Sequence, residues 1–296
     1  MLEAPLPLDS FGMTAQGRDR RENQDQFLIG SLSKRLDVDQ TTLNQRQLGD
    51  VASFTPPGRL LLVADGVGGR SAGRRASALA GREVTQQILR AVPFFPAFSS
   101  SGSAGTVDEL RRAVREADES VVDSGHEVDA DEGMATTLTL AWLVWPKAFV
   151  VHVGDSRCYL LRRCALRRLT QDHSLENELK AQGVSTVPSA LAQSLVNVVG
   201  GPSAGVEPEA HEIDLEPGDL LLLCTDGLTK GLKDRHIERL LNQGGSAKER
   251  CERLLDAALK AGGHDDTTLV VCQSPRPQPS ARAAAPSRTR ATSLIA

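Results

Sequence analysis

Seven stretches of the chain are dense in apolar residues and bounded by Gly, Asp or Pro: 25–29, 59–64, 137–145, 148–153, 157–162, 220–224 and 267–272. Their length and punctuation predict strands. A second period marks helices. Thr106 and Glu109 form a capping box ahead of Val107, Leu110, Val114, Ala117 and Val121, which share one helical face. Ser246 and Glu249 repeat that device before Cys251, Leu254, Leu255, Ala258 and Leu259, and Gly262 suits the stop. An Ala-rich stretch over 71–89 predicts a third helix, and Asp234 is placed to cap a fourth ending at Gly244. Strands and helices do not alternate regularly, so a doubly wound parallel sheet is not favoured. The short spacing between 148–153 and 157–162 predicts an antiparallel hairpin. Antiparallel sheets with helices packed outside give an α+β sandwich over residues 13–272. Residues 1–12 read as an N-terminal extension and 31–58 as a polar insertion between two strands.

Composition narrows the function. Of 296 residues, 40% are hydrophobic and 24% charged, with a net charge of −4. That balance fits a soluble globular domain and gives no basic field for nucleic acid or anionic membrane. Aromatic residues make up only 3% of the chain, too few for stacking platforms. The longest apolar runs fall far short of the ~20 residues of a membrane span. Cys158, Cys164, Cys224, Cys251 and Cys272 are scattered and form no CxxC pair. They read as buried free thiols in a reducing, cytoplasmic setting. Residues 273–296 are rich in Pro, Ser and Ala, with Arg276, Arg282, Arg288 and Arg290 and no acidic residue. Such a tail cannot bury enough apolar area to offset its ordering entropy, and disorder is expected there.

The chemistry lies in where the aspartates fall. Asp65 ends one apolar run and precedes Gly66; Asp226 follows another and precedes Gly227. Asp155 sits between two strands, and Asp25 and Asp265 each introduce one. Taken singly, each fits a turn or a helix cap. Antiparallel pairing would put Asp25 beside Asp65 and Asp226 beside Asp265, at one sheet edge. Clustered carboxylates with few His or Cys nearby select Mg²⁺ or Mn²⁺. Two such ions can acidify a shared water and clamp a phosphoryl group, and Arg20 is placed to hold its oxygens. The glycines after Asp65 lack both the GxGxxG spacing and a GK[ST] ending, so a nucleotide loop is not indicated.

Six motifs occur in order: Gly17-x-x-Arg20-x-x-Asn23-Gln24-Asp25, Ala64-Asp65-Gly66-Val67-Gly68-Gly69, Met134-Ala135-Thr136-Thr137, Gly154-Asp155-Ser156-Arg157, Thr225-Asp226-Gly227 and Gly263-His264-Asp265-Asp266-Thr267. Each is weak alone. Together, over residues 13–272, they resemble the type 2C (PPM-type) metal-dependent protein serine/threonine phosphatases of bacteria. That resemblance implies a β-sandwich of two antiparallel sheets flanked by helices. It implies hydrolysis of phosphoserine and phosphothreonine on proteins by a hydroxide shared between two Mn²⁺ or Mg²⁺ ions. Asp65 then matches the ligand bridging both metals, with the Gly66 carbonyl on the second. Asp226 and Asp265 match the other ligands of the first, while Asp155 with Asp226 matches the holders of a third, looser ion. Asp25 resembles the carboxylate that orients waters on the second metal, and Arg20 the substrate-phosphate contact. Residues 170–201 fall where the family carries a flap beside the cleft. Implied partners are phosphorylated proteins and a Ser/Thr kinase with its substrates, and a monomer is expected.

Four positions depart from the pattern. Val67 stands where many eukaryotic relatives carry a His proposed as general acid, and Ala135 replaces a usual Gly. Gln24 replaces a Glu. Asp266 replaces an Asn, which predicts added negative charge near the site. His152 reads as a structural histidine, whereas His264 is open to either a structural or a site role. The rival to an enzyme is a catalytically weak phosphatase-like module that binds phosphoproteins. Such a copy would lack one of Asp65, Asp226 and Asp265, and all three are present.

Overall fold

A computed structural model describes residues 8–32, 58–68, 71–91, 103–126, 133–184, 188–202 and 205–274. The tail from residue 275 and all but the flanks of the 31–58 insertion lie outside the described residues.

One sheet has five strands in the order β1 (Asp9–Ala15), β12 (Thr267–Gln273), β11 (Leu220–Cys224), β7 (Arg157–Arg162) and β8 (Ala165–Arg168). The other runs β10 (Glu209–Asp214), β6 (Lys147–Val153), β5 (Leu138–Val144), β3 (Gly58–Val67), β4 (Ala135–Thr136) and β9 (Val199–Gly200), with β2 (Asp25–Leu32) also on β3. Every strand pairing among the described residues is antiparallel. Helices α1 (Ala72–Ala91) and α2 (Ser103–His126) cover the second sheet. Between the sheets in sequence come the short α3 (Leu175–Ala181) and α4 (Ser189–Ala192), and α5 (Asp226–Gly231), α6 (Asp234–Leu241) and α7 (Ala247–Lys260) follow β11.

Alternation explains why the strands read as unbroken apolar runs. Leu60, Leu62 and Ala64 pack toward α1 and α2, while Leu61 and Val63 meet Leu221, Leu223 and Val270 of the facing sheet. Leu220, Leu222 and Cys224 turn the other way, against Ile237, Cys251 and Leu254. Both faces of each central strand are therefore dry, and no polar alternation survives.

Four expectations need correction. Strands 148–153 and 157–162 are not a hairpin: β6 lies in one sheet and β7 in the other. Gly154, at φ +103°, turns the chain across the sandwich instead. The true neighbours are β5–β6 and β7–β8. Second, residues 9–12 are no extension, because β1 pairs with β12 along its whole length. Its half-buried Phe11 and Met13 pack on the core, too sparse a signal to read beforehand. Third, α2 starts at Ser103, so Thr106 is a buried interior residue and not a cap. Finally, Cys164 is exposed in the β7–β8 turn, while the other four thiols are buried. The Ser246–Glu249 capping box does open α7.

Candidate metal centre and catalytic cleft

Pairing brings the acidic residues to one edge of the sandwich. Asp25 lies directly opposite Asp65 in the β2–β3 register. In the facing sheet Cys224 opposes Leu269, so Asp226 and Asp265 leave β11 and β12 at the same end. Asp155 arrives in the crossover from β6 to β7. The Thr136–Thr137 pair fixes Asp65: Thr136 Oγ1 and the Thr137 N–H donate to its carbonyl at 2.8 and 2.9 Å. Its own N–H donates to Thr137 Oγ1 at 3.0 Å. Thr225 Oγ1 donates to Asp25 Oδ2 at 2.8 Å and accepts the Thr268 N–H, linking both sheets to the centre. The glycines of the two Asp-Gly pairs are steric necessities. A Cβ on Gly66 would lie 2.2 Å from the Gly73 carbonyl oxygen, and one on Gly227 2.0 Å from that of Asp266.

So many carboxylates in one place disturb each other. Burial, then the charges of Asp25, Asp226, Asp155 and Asp265, hold the Asp65 carboxyl well above its ordinary range. Burial, with Asp226 and Asp266 among its neighbours, pushes Asp25 up to about 7. Asp155 reaches about 7 through burial and the charge of Asp226. Burial also raises Asp226, although Lys230 pulls it back. Asp265 goes the other way. Burial opposes its charge, but hydrogen bonds from Arg20 and Lys230 bring it to about 2. Arg20 Nε donates to Asp265 Oδ1 at 2.5 Å.

Above these groups opens a cleft of about 450 Å³. Arg20, Asp65, Asp155 and Asp226 line it together with Gln193, Ser194, Leu195 and Val198, and with Val67 and Ala135. Asp25 is buried beside Asp65 and is not among the residues lining the cleft. Gln193 to Val198 belong to the 170–201 segment, whose start is tied to the Asp155 turn. Arg157 grips Asp172 with a two-pronged guanidinium–carboxylate pair at 2.8 and 2.6 Å, and His173 Nδ1 accepts the Gly154 N–H at 3.2 Å.

The donor set is all oxygen, and Asp25 Oδ1 and Asp226 Oδ1 are buried with no hydrogen-bond partner among the described residues. Buried, unpartnered carboxylate oxygens are costly, and a hard divalent cation is the group that answers them. The residues therefore fit such ions.

A family model described as protein phosphatase 2C matches residues 39–261. The chain belongs to the protein phosphatase 2C family. Among phosphatase 2C relatives, the serine/threonine phosphatase stp of Listeria monocytogenes is 31% identical over 72% of this chain and 84% of its own. The serine/threonine protein phosphatase PstP of Mycobacterium tuberculosis is 34% identical over 72% of this chain and 40% of its own. A crystal structure of PstP superposes with a TM-score of 0.70 at 27% identity, covering 92% of this chain and all of that one. The PstP catalytic domain in complex with two manganese ions gives 0.67 at 28% identity, over 90% and 97% of the two chains. The family's metal-dependent protein phosphatase chemistry and its two-sheet fold thus apply to this phosphatase 2C member.

Among the departures from the family pattern, Asp266 does not face the cleft. It is buried, and its two oxygens accept the Gly17 and Gln24 N–H groups at 2.9 Å each. Ala135 fits within β4, opposite Val67 and Gly200. His152 lies inside the sandwich between Thr139 Oγ1 and the Gln171 carbonyl. His264 is exposed on Asp19 at 2.7 Å and does not line the cleft. One residue escaped the sequence reading. Lys230 Nζ lies 2.5 Å from Asp226 Oδ2 and 2.7 Å from Asp265 Oδ2. Its sequence signal is the i, i+4 spacing to Asp226, which puts both on one helical face.

Proposed function

We propose that this chain removes phosphate from phosphoserine and phosphothreonine in proteins, using Asp65, the Gly66 carbonyl, Asp226 and Asp265 to hold two Mn²⁺ or Mg²⁺ ions. The observation that carries this reading is the convergence of Asp65, Asp155, Asp226 and Arg20 on one cleft, backed by Asp25 and Asp265. Asp155 with Asp226 would hold a third, looser ion. When bound, the ions supply Lewis acidity: they acidify a water and offset charge on the phosphoryl oxygens.

The chain's own groups do the rest. Asp265 takes Arg20 by Nε, which fixes the guanidinium and leaves its terminal amino groups as donors to two phosphate oxygens. Asp25, beside Asp65 and held by Thr225, orients water at the centre. Water attacks phosphorus in line, the bond from phosphorus to the serine or threonine oxygen breaks, and that oxygen leaves as the hydroxyl. Val67 has no proton to give the leaving oxygen, which takes one from another group in the cleft or from water. Leu195 and Val198, both in the cleft lining, would contact the peptide around the phosphorylated residue. A Ser/Thr kinase whose products this enzyme reverses, a cytoplasmic location and a monomeric state belong to the same reading. It is supported by the relatives' activity and by the lack, among the described residues, of any helix long and apolar enough to cross a membrane.

The test is Asp226→Asn and Asp65→Asn, assayed on a phosphothreonine peptide with Mn²⁺. Each should lose turnover by more than about 100-fold with an unchanged circular dichroism spectrum. Activity near that of the wild type in either variant would refute the ligand assignment.

A further inference from the structure

Lys230 stands at the point where α5 and the segment before β12 come together. Its ammonium is 2.5 Å from Asp226 Oδ2 and 2.7 Å from Asp265 Oδ2. Asp265 is fully committed in this arrangement, since Arg20 holds its other oxygen. Asp226 is not, because its Oδ1 is buried with no partner among the described residues. The Lys230 side chain is 54% exposed, so its stem can swing toward solvent without opening the core.

We propose that Lys230 is a built-in counter-cation of the carboxylate centre, competing with the divalent cation for Asp226 and Asp265 and thereby setting how tightly the metal is held. This rests on the metal-centre reading above. An ammonium and a divalent ion at the same two carboxylates repel each other, and an ammonium drawing on the carboxylate charge weakens the metal's hold on it. Metal entry at this pair therefore works against Lys230, most of all at Asp265, where Arg20 and Lys230 occupy both oxygens. Without metal, the same ammonium offsets repulsion between Asp226, Asp265 and the neighbouring Asp65 and Asp155, which otherwise face one another as like charges. A lysine suits this role better than an arginine or a fixed ion. It is a compact point charge on a flexible stem, able to yield.

The experiment is calorimetric titration of Mn²⁺ into the full chain without substrate, together with melting curves in EDTA and in saturating Mn²⁺. Lys230→Gln and Lys230→Met remove the charge, and Lys230→Arg keeps it. The neutral variants should bind Mn²⁺ about tenfold more tightly, about 1.4 kcal/mol. They should also show a larger gap between the two melting temperatures than the wild type, with Lys230→Arg nearer to wild type on both measures. Affinities within about twofold across all four proteins, or weaker binding by the neutral variants, would overturn the proposal. A wild-type protein that binds no Mn²⁺ at all would instead overturn the metal-centre reading, and this role with it. That outcome is distinct from binding indifferent to residue 230.

Discussion

Asp266→Asn probes how the loop bearing Arg20 is held in place. The Asp266 carboxylate is 3% exposed and accepts two backbone N–H groups, from Gly17 and Gln24, which bracket Arg20 in the chain. An amide retains one acceptor oxygen and turns an NH2 group toward the other N–H. One buried donor then loses its partner, which costs about 1–3 kcal/mol. The remaining bond loses its charge assistance, and removing a negative charge beside Asp25 returns a part of that. The net loss is about 2 kcal/mol, or about 4–8 °C in melting temperature for a domain of this size. Arg20 loses positional restraint as the loop loosens, so KM for a phosphothreonine peptide should rise while the metal ligands stay in place. Differential scanning calorimetry in EDTA and steady-state kinetics in Mn²⁺ together read both effects. If Asp266 instead acted as a cleft charge opposing metal or phosphate, the amide would lower KM and leave the melting temperature unchanged. That pair of results would refute the role of Asp266 in holding the Arg20 loop.

Other expectations follow from the same contacts. Arg20→Ala should raise KM about 10- to 100-fold, from the loss of a forked charge-assisted contact to phosphate, with kcat changed less; a change confined to kcat would contradict that role. Ending the chain after Ser274 should leave melting and turnover unaltered. Ending it after Cys272 should lower the melting temperature, because Gln273 accepts from buried Arg250 and Ser274 ties into the 216–219 turn. Equal stability of the two truncations would count against the strand end seen here. Burial pushes the His152 imidazole down to about 4, below its unfolded value of 6.5. The unfolded chain therefore binds more protons between those limits, and the His152 contribution is lost as pH falls from 6.5 toward 4. In urea denaturation with EDTA, the stability gap between wild type and His152→Asn should shrink by about 2 kcal/mol from pH 7 to pH 5. A constant gap would contradict the neutral buried assignment.

What the sequence disclosed, and what it withheld, follows from the range of the interactions. Strand ends capped by Asp-Gly were legible because carboxylate and glycine each leave a local mark: one ends an apolar run, the other admits a close backbone passage. The pairing of Asp25 with Asp65 could be derived from antiparallel logic alone, since both lie on strands consecutive in the sheet. The β6–β7 crossover could not. A Gly-Asp-Ser turn looks the same whether it closes a hairpin or carries the chain between sheets, and only the wider packing decides. Strand β1 was missed because its alternation is carried by Phe11 and Met13, each only half-buried. Asp266 read as added charge near the site because its two N–H partners lie more than 240 residues away in the chain. Lys230 was passed over although its spacing to Asp226 was visible, since nothing local says that Asp265 meets the same ammonium.

Phosphate release from a phosphothreonine peptide by the purified chain, measured in Mn²⁺ and again after EDTA, decides whether the carboxylate edge works through bound metal. Release should require the divalent ion, stop with chelator and resume when Mn²⁺ is restored. Release undiminished by EDTA, or none from folded protein in either Mn²⁺ or Mg²⁺, would contradict metal-dependent hydrolysis.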